Sequence, residues 1–290
     1  TEVESSPMGG TILSIPSGSI LIAPTLVNPD SYQGSINQFV ANGSEWTINF
    51  ASPGFTSGEF NESSSFPKYY LEVISSSSPY EGANFDIISN TTGGVTVQGI
   101  SGESLSTGIQ VCIRKHFTLG ELFNGASSSL SAFVDAVQFY TEGNVVTTYF
   151  WTGSFWSSDF ATNESDAPIL PGQGIIGGFG SAFSLPVSGN VKTTPTLVPI
   201  YSGDVNIVST MSPLNVTFGD INAGDQLVDF VDAIQTFNTN GSGTVAATYF
   251  SIGSNVTKDF ATDHSGDQLP AGVAFLIGPG SDTNWELPGN

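Results

Sequence analysis

Short runs in which apolar and polar residues alternate recur along the whole chain, separated by clusters of Gly, Ser, Asn and Pro. That period of two predicts strands half-buried in sheets, and the punctuation predicts turns. Runs at 35–40, 45–50, 69–74, 83–89, 94–98 and 110–115 read as six short strands, enough for a small barrel. Runs at 145–151 and 155–160 flank Thr152-Gly153-Ser154 as a hairpin, and 244–252 leads into Gly253-Ser254 in the same way. The apolar stretch 169–176 is broken by Pro171, Gly172 and Gly174, which fits a bulge or strand entry.

The pattern also repeats at long range. Phe133-Val134-Asp135-Ala136 recurs as Phe230-Val231-Asp232-Ala233, Thr148-Tyr149-Phe150 as Thr248-Tyr249-Phe250, and Asp159-Phe160-Ala161-Thr162 as Asp259-Phe260-Ala261-Thr262. Thr118-Leu119-Gly120-Glu121 has its counterpart in Thr217-Phe218-Gly219-Asp220, and Leu170-Pro171 in Leu269-Pro270. Shared order and nearly shared spacing mark a duplicated module. A third, partial copy is read at the start, where 17–22 and then 33–36 parallel 202–207 and then 218–221. The expected class is all-β, with two sandwich-like repeats and a small inserted β-barrel. The expected boundaries are N-terminal strands at 1–30, the barrel at 31–117, repeat 1 at 118–200 and repeat 2 at 201–290, with a hinge at 189–195.

Composition narrows the function. The 290 residues carry 26 Asp and Glu against 5 Lys and Arg, a net charge of −21. Affinity for phosphates needs clustered cations, so nucleic acid is not an expected partner, nor is an anionic membrane surface. No apolar run is long enough for a membrane-spanning helix. Only 11% of the residues are charged, so the surface is expected to be rich in Ser, Thr and Asn. Such a surface suits the outside of a cell. The first residues, Thr1-Glu2-Val3, are what a processed, exported chain would begin with.

The residues 69–73, Glu81-Gly82 with 85–90, and 117–123 together resemble a family of exported, β-rich bacterial repeat proteins without assigned biochemical function. Pro171-Gly172-Gln173-Gly174 is similar to that family's Pro-Gly-x-Gly turn, from which Ala271-Gly272-Val273 departs. The resemblance implies export and a β architecture, and no catalytic residue.

Candidate chemistry is sparse. There is no Gly-x-Ser-x-Gly elbow, and the only histidines are His116 and His264. Cys112 shares a strand face with Arg114 and His116, yet a small buried thiol is the commoner role for such a residue. Asp220-x-Asn222-x-x-Asp225 offers oxygen ligands but lacks the Gly and distal Glu of an EF-hand loop. Asp135 with Asp232, and Asp159 with Asp259, occupy equivalent places in the two copies, which favours a structural job. No cofactor and no catalytic role is expected.

What remains points to assembly. The runs containing Thr11, Ile12, Leu13 and Ile15, and Ile20, Leu21 and Ile22, are uncharged strands that can add to a neighbour's sheet edge. Arg114 and Lys115 are the basic exceptions where a subunit contact is expected. The expected role is therefore an extracellular or cell-surface structural protein, a homo-polymer forming a filament or layer by β-strand addition. The alternative is an adhesin binding surface glycans by stacking on Trp151 and Trp156, which are not shared between the copies; a polysaccharide-active enzyme comes third. Sequons at Asn42, Asn61, Asn90, Asn163, Asn215, Asn240 and Asn255 exceed the roughly four expected by chance and make a glycoprotein a further expectation.

Overall fold

A computed structural model describes residues 7–61 and 66–290. The chain is nearly all β. It opens with β1 (Met8–Ile15) and β2 (Gly18–Ile22), then enters the barrel: β3 (Asp30–Asn42), β4 (Glu45–Phe50), β5 (Tyr69–Val73), β6 (Asn84–Asn90), β7 (Gly94–Gln98) and β8 (Gln110–Lys115). It continues through β9 (Phe117–Thr118), α1 (Leu119–Phe123), β10 (Ala136–Thr141), β11 (Val145–Trp151), β12 (Trp156–Ser157), β13 (Pro168–Ile169), β14 (Ile175–Phe179) and β15 (Phe183–Asn190). The last part holds β16 (Thr196–Ile200), β17 (Asn206–Val208), β18 (Val216–Thr217), α2 (Ala223–Gln226), β19 (Ala233–Phe237), β20 (Val245–Ile252), β21 (Asn255–Thr257), β22 (Gln268–Leu269), β23 (Phe275–Gly278) and β24 (Thr283–Leu287).

The six barrel strands close in the order β3-β4-β7-β6-β5-β8, every pair antiparallel. Closure depends on β3. Register shifts after Asp30 and after Ile36 bend it, so that its first half pairs with β8 and its second with β4. This is why the strand runs well past the 35–40 expected from alternation. Trp46, Ile48, Leu71, Ile87, Val97, Val111 and Ile113 fill the interior, all buried.

Each repeat is a five-stranded antiparallel sheet backed by two-stranded ribbons. The orders β2-β14-β10-β11-β12 and β17-β23-β19-β20-β21 match strand for strand, and the ribbon β1-β15 corresponds to β16-β24. The N-terminal strands therefore belong to repeat 1. β1 pairs with β15 along its whole length and β2 with β14. What reads as the start of a third copy is thus the missing beginning of the first, and its second half, 33–36, is barrel strand β3. The barrel interrupts repeat 1 between β2 and β9, and Thr196–Ile200 is the opening strand of repeat 2.

The repeats meet in a reciprocal seam. Ala23 N donates to Gly272 O at 3.0 Å and Ala274 N to Leu21 O at 3.4 Å, while Ser209 N donates to Gly172 O at 2.8 Å and Gly174 N to Ile207 O at 2.9 Å. Leu21, Ala23, Ile207 and Ala274 are buried between them. Both seam turns need φ > 0 at their third residue, and glycine supplies it: Gly172 at 81° and Gly272 at 74°. Pro171-Gly172 and Ala271-Gly272 are thus the same turn, although the second copy departs from the Pro-Gly-x-Gly pattern.

Candidate functional site

A buried cluster of ionisable groups lies where the barrel meets the repeats. Glu72 on β5 and Cys112 and Arg114 on β8 project from the barrel wall onto the segment that joins the repeats. Lys192 Nζ reaches Glu72 at 2.6 Å and donates to Thr194 O and Oγ1, both at 2.9 Å. Arg114 Nε donates to the other Glu72 oxygen at 3.0 Å, and its Nη1 to Asn28 O at 3.2 Å. Glu72 and Lys192 are buried to 0% and 1% exposure. Burial by itself would raise the Glu72 carboxyl, but Lys192 and Arg114 hold it below its ordinary value. The segment expected to be a hinge is pinned instead. Its Gly, Lys and Pro content reads as flexible only while Lys192 lacks its partner, which lies far away in the chain.

The same cluster disposes of Cys112. Its Sγ faces Glu72 Oε2 at 3.3 Å, and burial and the adjacent carboxylate push the thiol well above its ordinary value. His116 turns to Asp86 at 2.9 Å and packs against Tyr70. Of the two expected basic contacts, Arg114 is consumed in the junction, and Lys115 is half-exposed and paired with Glu121.

The remaining candidates divide by burial. Leu13, Ile15, Ile20, Leu21 and Ile22 are core or seam residues, whereas Ile12 is exposed and Thr11 partly so. Trp151 and Trp156 pack against each other, and Trp156 against Phe123, both buried, so neither offers a face to a sugar ring. Asp220 is spent on the Thr217 amide and hydroxyl at 2.7 and 2.8 Å. Among the sequons, Asn42, Asn163, Asn215, Asn240 and Asn255 are exposed. Asn61 is exposed as well, though the rest of its sequon lies outside the described residues. Asn90 is buried, with its amide donating to Thr56 O and Thr91 O and accepting from Phe60 N.

The feature that sequence reasoning missed is a pair of exposed aromatic patches. Phe133 and Phe160 in repeat 1, and Phe230 and Phe260 in repeat 2, all have left-handed backbones, with φ between 60° and 63°. A bulky side chain there costs about 1–3 kcal/mol. They are nevertheless displayed to solvent: Phe133 is 63% and Phe230 64% exposed, and Val134 and Val231 beside them are exposed too. Phe160 lies 4.9 Å from Phe150 and 6.0 Å from Phe133, and the equivalent spacings in repeat 2 are 4.8 and 6.0 Å.

The twin aspartates hold this strained display. Asp135 accepts from Ser131 N at 2.8 Å and Gly180 N at 2.7 Å, and Asp232 from Val228 N and Gly280 N at the same distances. Phe133 N donates to Trp151 O and Phe230 N to Ser251 O, which ties each first loop to its sheet. Asp159 Oδ1 gathers the Ala161 and Thr162 amides, and its Oδ2 the Thr162 hydroxyl; Asp259 does the same with Ala261 and Thr262. Those backbone donors drive both carboxyls far below the ordinary range. The repeated Phe-Val-Asp and Asp-Phe-Ala-Thr strings were the available signal. Their meaning was hidden because φ does not show in an apolar pattern.

Comparison of the chain with protein families, with curated proteins and with solved structures finds no match.

Proposed function

We propose that the protein is a structural subunit of an extracellular filament or layer, and that it meets its neighbours through the twin phenylalanine patches. One observation carries this reading: the same strained, solvent-facing aromatic display occurs twice, each time held by the same two aspartates. A stability role would be met by burying the rings, whereas exposed apolar side chains held at a backbone cost are what a contact surface needs. Duplication also suits assembly better than catalysis, since an active site has no need of two copies.

Strand addition enters this reading in a changed form. β1 is already paired with β15, so a neighbour's strand would add to the other edge of β1, which has no strand partner among the described residues. A glycan-binding adhesin is the second reading, with the exposed Phe rings in place of the buried tryptophans.

Electron microscopy of the protein from its native source tests the proposal, together with a variant carrying Phe→Gly at 133, 160, 230 and 260. Glycine accepts φ > 0 without strain, so the fold is expected to survive, as circular dichroism would check. Filaments or sheets in the wild type and dispersed particles in the variant are expected. A dispersed wild type would overturn the assembly role, and quenching of its aromatic fluorescence by a glycan would then favour the adhesin.

A further inference from the structure

The two ribbons are equivalent, yet only one has an open edge. Gly180 and Gly280, which donate to the twin aspartates, set the correspondence: Pro186 on β15 matches Glu286 on β24, so their ladder neighbours match too, Ile12 with Leu197 and Ser14 with Pro199. Ile12 lies opposite Pro186, which has no N–H to give, so the pair is of the non-hydrogen-bonded kind and Ile12 turns its own N–H and C=O away from β15. Alternation along the strand turns those of Gly10 and Ser14 the same way. Repeat 2 closes this edge. Leu197 N donates to Gly82 O, in the turn between β5 and β6 of the barrel, at 3.0 Å, and Pro199 has no N–H to offer. In repeat 1, nothing among the described residues bonds to the outward groups of Gly10, Ile12 and Ser14.

The single barrel causes the difference. It fills the interval between β2 and β9 of repeat 1, whereas residues 209–215 alone join β17 to β18 in repeat 2. Across the reciprocal seam the barrel therefore reaches β16, while only this short loop faces β1. A groove of about 590 Å³ is left between β1 and Pro213, Leu214, Thr239 and Pro270, within the roughly 300–1,000 Å³ typical of ligand sites. Two apolar side chains on its walls are open to solvent, Ile12 at 71% and Leu214 at 72% exposure. No charged residue lines the groove, although the chain carries a net charge of −21.

Three properties define the occupant. Outward N–H and C=O groups at every second residue are matched by another extended backbone. Walls without a cation or an anion would leave a charged side chain unpaired, so the segment is uncharged. Ile12 and Leu214 are covered by an apolar side chain laid between them. Resting on the strand-addition part of the structural-subunit reading, we propose that this groove takes an extended, uncharged peptide segment of a neighbouring subunit, which becomes the third strand of the β15-β1 ribbon. The Gly82 contact on β16 shows within this chain how such an edge is covered, and Ser14 keeps open the edge that Pro199 shuts.

The probe is the peptide of residues 8–15, uncharged once its ends are blocked, labelled with a fluorophore and followed by anisotropy as the intact protein is added. S14P copies into repeat 1 the residue that repeat 2 carries, so its fold is expected to survive, as circular dichroism would check, and I12K alters an exposed side chain alone. Saturable binding to the wild type is expected. Either substitution should weaken it about tenfold or more, S14P by removing a backbone donor and I12K by placing an unpaired charge at the groove. N-methylation of one set of alternate peptide amides is expected to block binding and of the other set to spare it, because only one set faces β1. Three results overturn the proposal: no saturable binding up to about 1 mM protein, the weak end of specific association; binding unchanged in I12K and in folded S14P; or equal binding of the two N-methylated peptides. Microscopy separates these failures from that of the broader reading. Filaments or sheets formed by S14P as readily as by the wild type would remove strand addition at this edge and leave the structural role standing. A wild type that binds the peptide yet forms no assembly would support the groove and remove the structural role.

Discussion

Replacing Lys192 with methionine is expected to cost about 3–5 kcal/mol, because it leaves a fully buried carboxylate short of one of its two cations. The lower end applies to the charge alone, since Arg114 still holds the second Glu72 oxygen at 3.0 Å. The Thr194 carbonyl also loses its 2.9 Å donor in a part-buried setting, which adds about 1 kcal/mol or more. The long apolar stem is retained by methionine, so little of the loss comes from packing. Urea unfolding followed by tryptophan fluorescence measures the change. Acid titration adds a signature. The Glu72 carboxyl sits below its ordinary value, so its contribution is complete above the unfolded value near pH 4.3 and is lost as pH falls through the folded one. Without Lys192 that folded value rises, and acid unfolding of K192M begins at higher pH than in the wild type. A loss below about 1 kcal/mol, the range of a screened surface pair, would refute the buried-junction argument.

Cys112 is expected to resist thiol reagents in the native protein and to react once only on unfolding, with rapid native labelling the contrary result. Gly272→Ala places a Cβ at φ 74° and 2.3 Å from the Leu13 side chain, so calorimetry should record a loss of about 2–4 kcal/mol; an unchanged melting temperature would contradict the seam geometry. The Asp159 and Asp259 loops are expected to keep their order on acidification past the ordinary carboxylate range, because depressed carboxyls hold their donors until pH falls through the folded values. Amide resonances of Thr162 and Thr262 that shift above about pH 4 would show the opposite. Phe133→Gly should change stability by no more than about 1 kcal/mol, relief of backbone strain offsetting the loss of a mostly exposed ring, whereas a large loss in urea unfolding would make Phe133 a core residue.

The sequence was most readable where partners are close. The hairpin of β11 and β12 around Thr152-Gly153-Ser154, in which Trp151 faces Trp156, follows from alternation and a turn, though its second strand ends at Ser157, and the barrel strands other than β3 were located to within a few residues. Duplication was legible as well, because identical local strings answer identical local needs. What stayed hidden depends on distance or on backbone sign. Nothing near Ile12 announces that β1 pairs with Val187 and Pro186, so an uncharged strand looked free to leave. Lys192 in a Gly and Pro context looked like a joint until Glu72 faced it. Phe133 and Phe230 stood out only as members of a repeated string, and a positive φ, which no apolar pattern displays, turns them outward.

The position of the barrel inside repeat 1 imposes an order on synthesis. β1 and β2 leave the ribosome before the barrel, yet Leu13 must wait for Leu185 and Ile22 for Ile175. At about 5–20 residues per second, that wait lasts roughly 10–35 s. The barrel, whose six strands close on one another, can form meanwhile and set its own entry at Asp30 beside its exit at Arg114, so that repeat 1 resumes next to where it was left. Circular permutation that opens the chain between β8 and β9 would place β1 and β2 after their partners β15 and β14, keep the strand pairings and shorten the exposure of two uncharged strands. The gain would appear as yield rather than as stability.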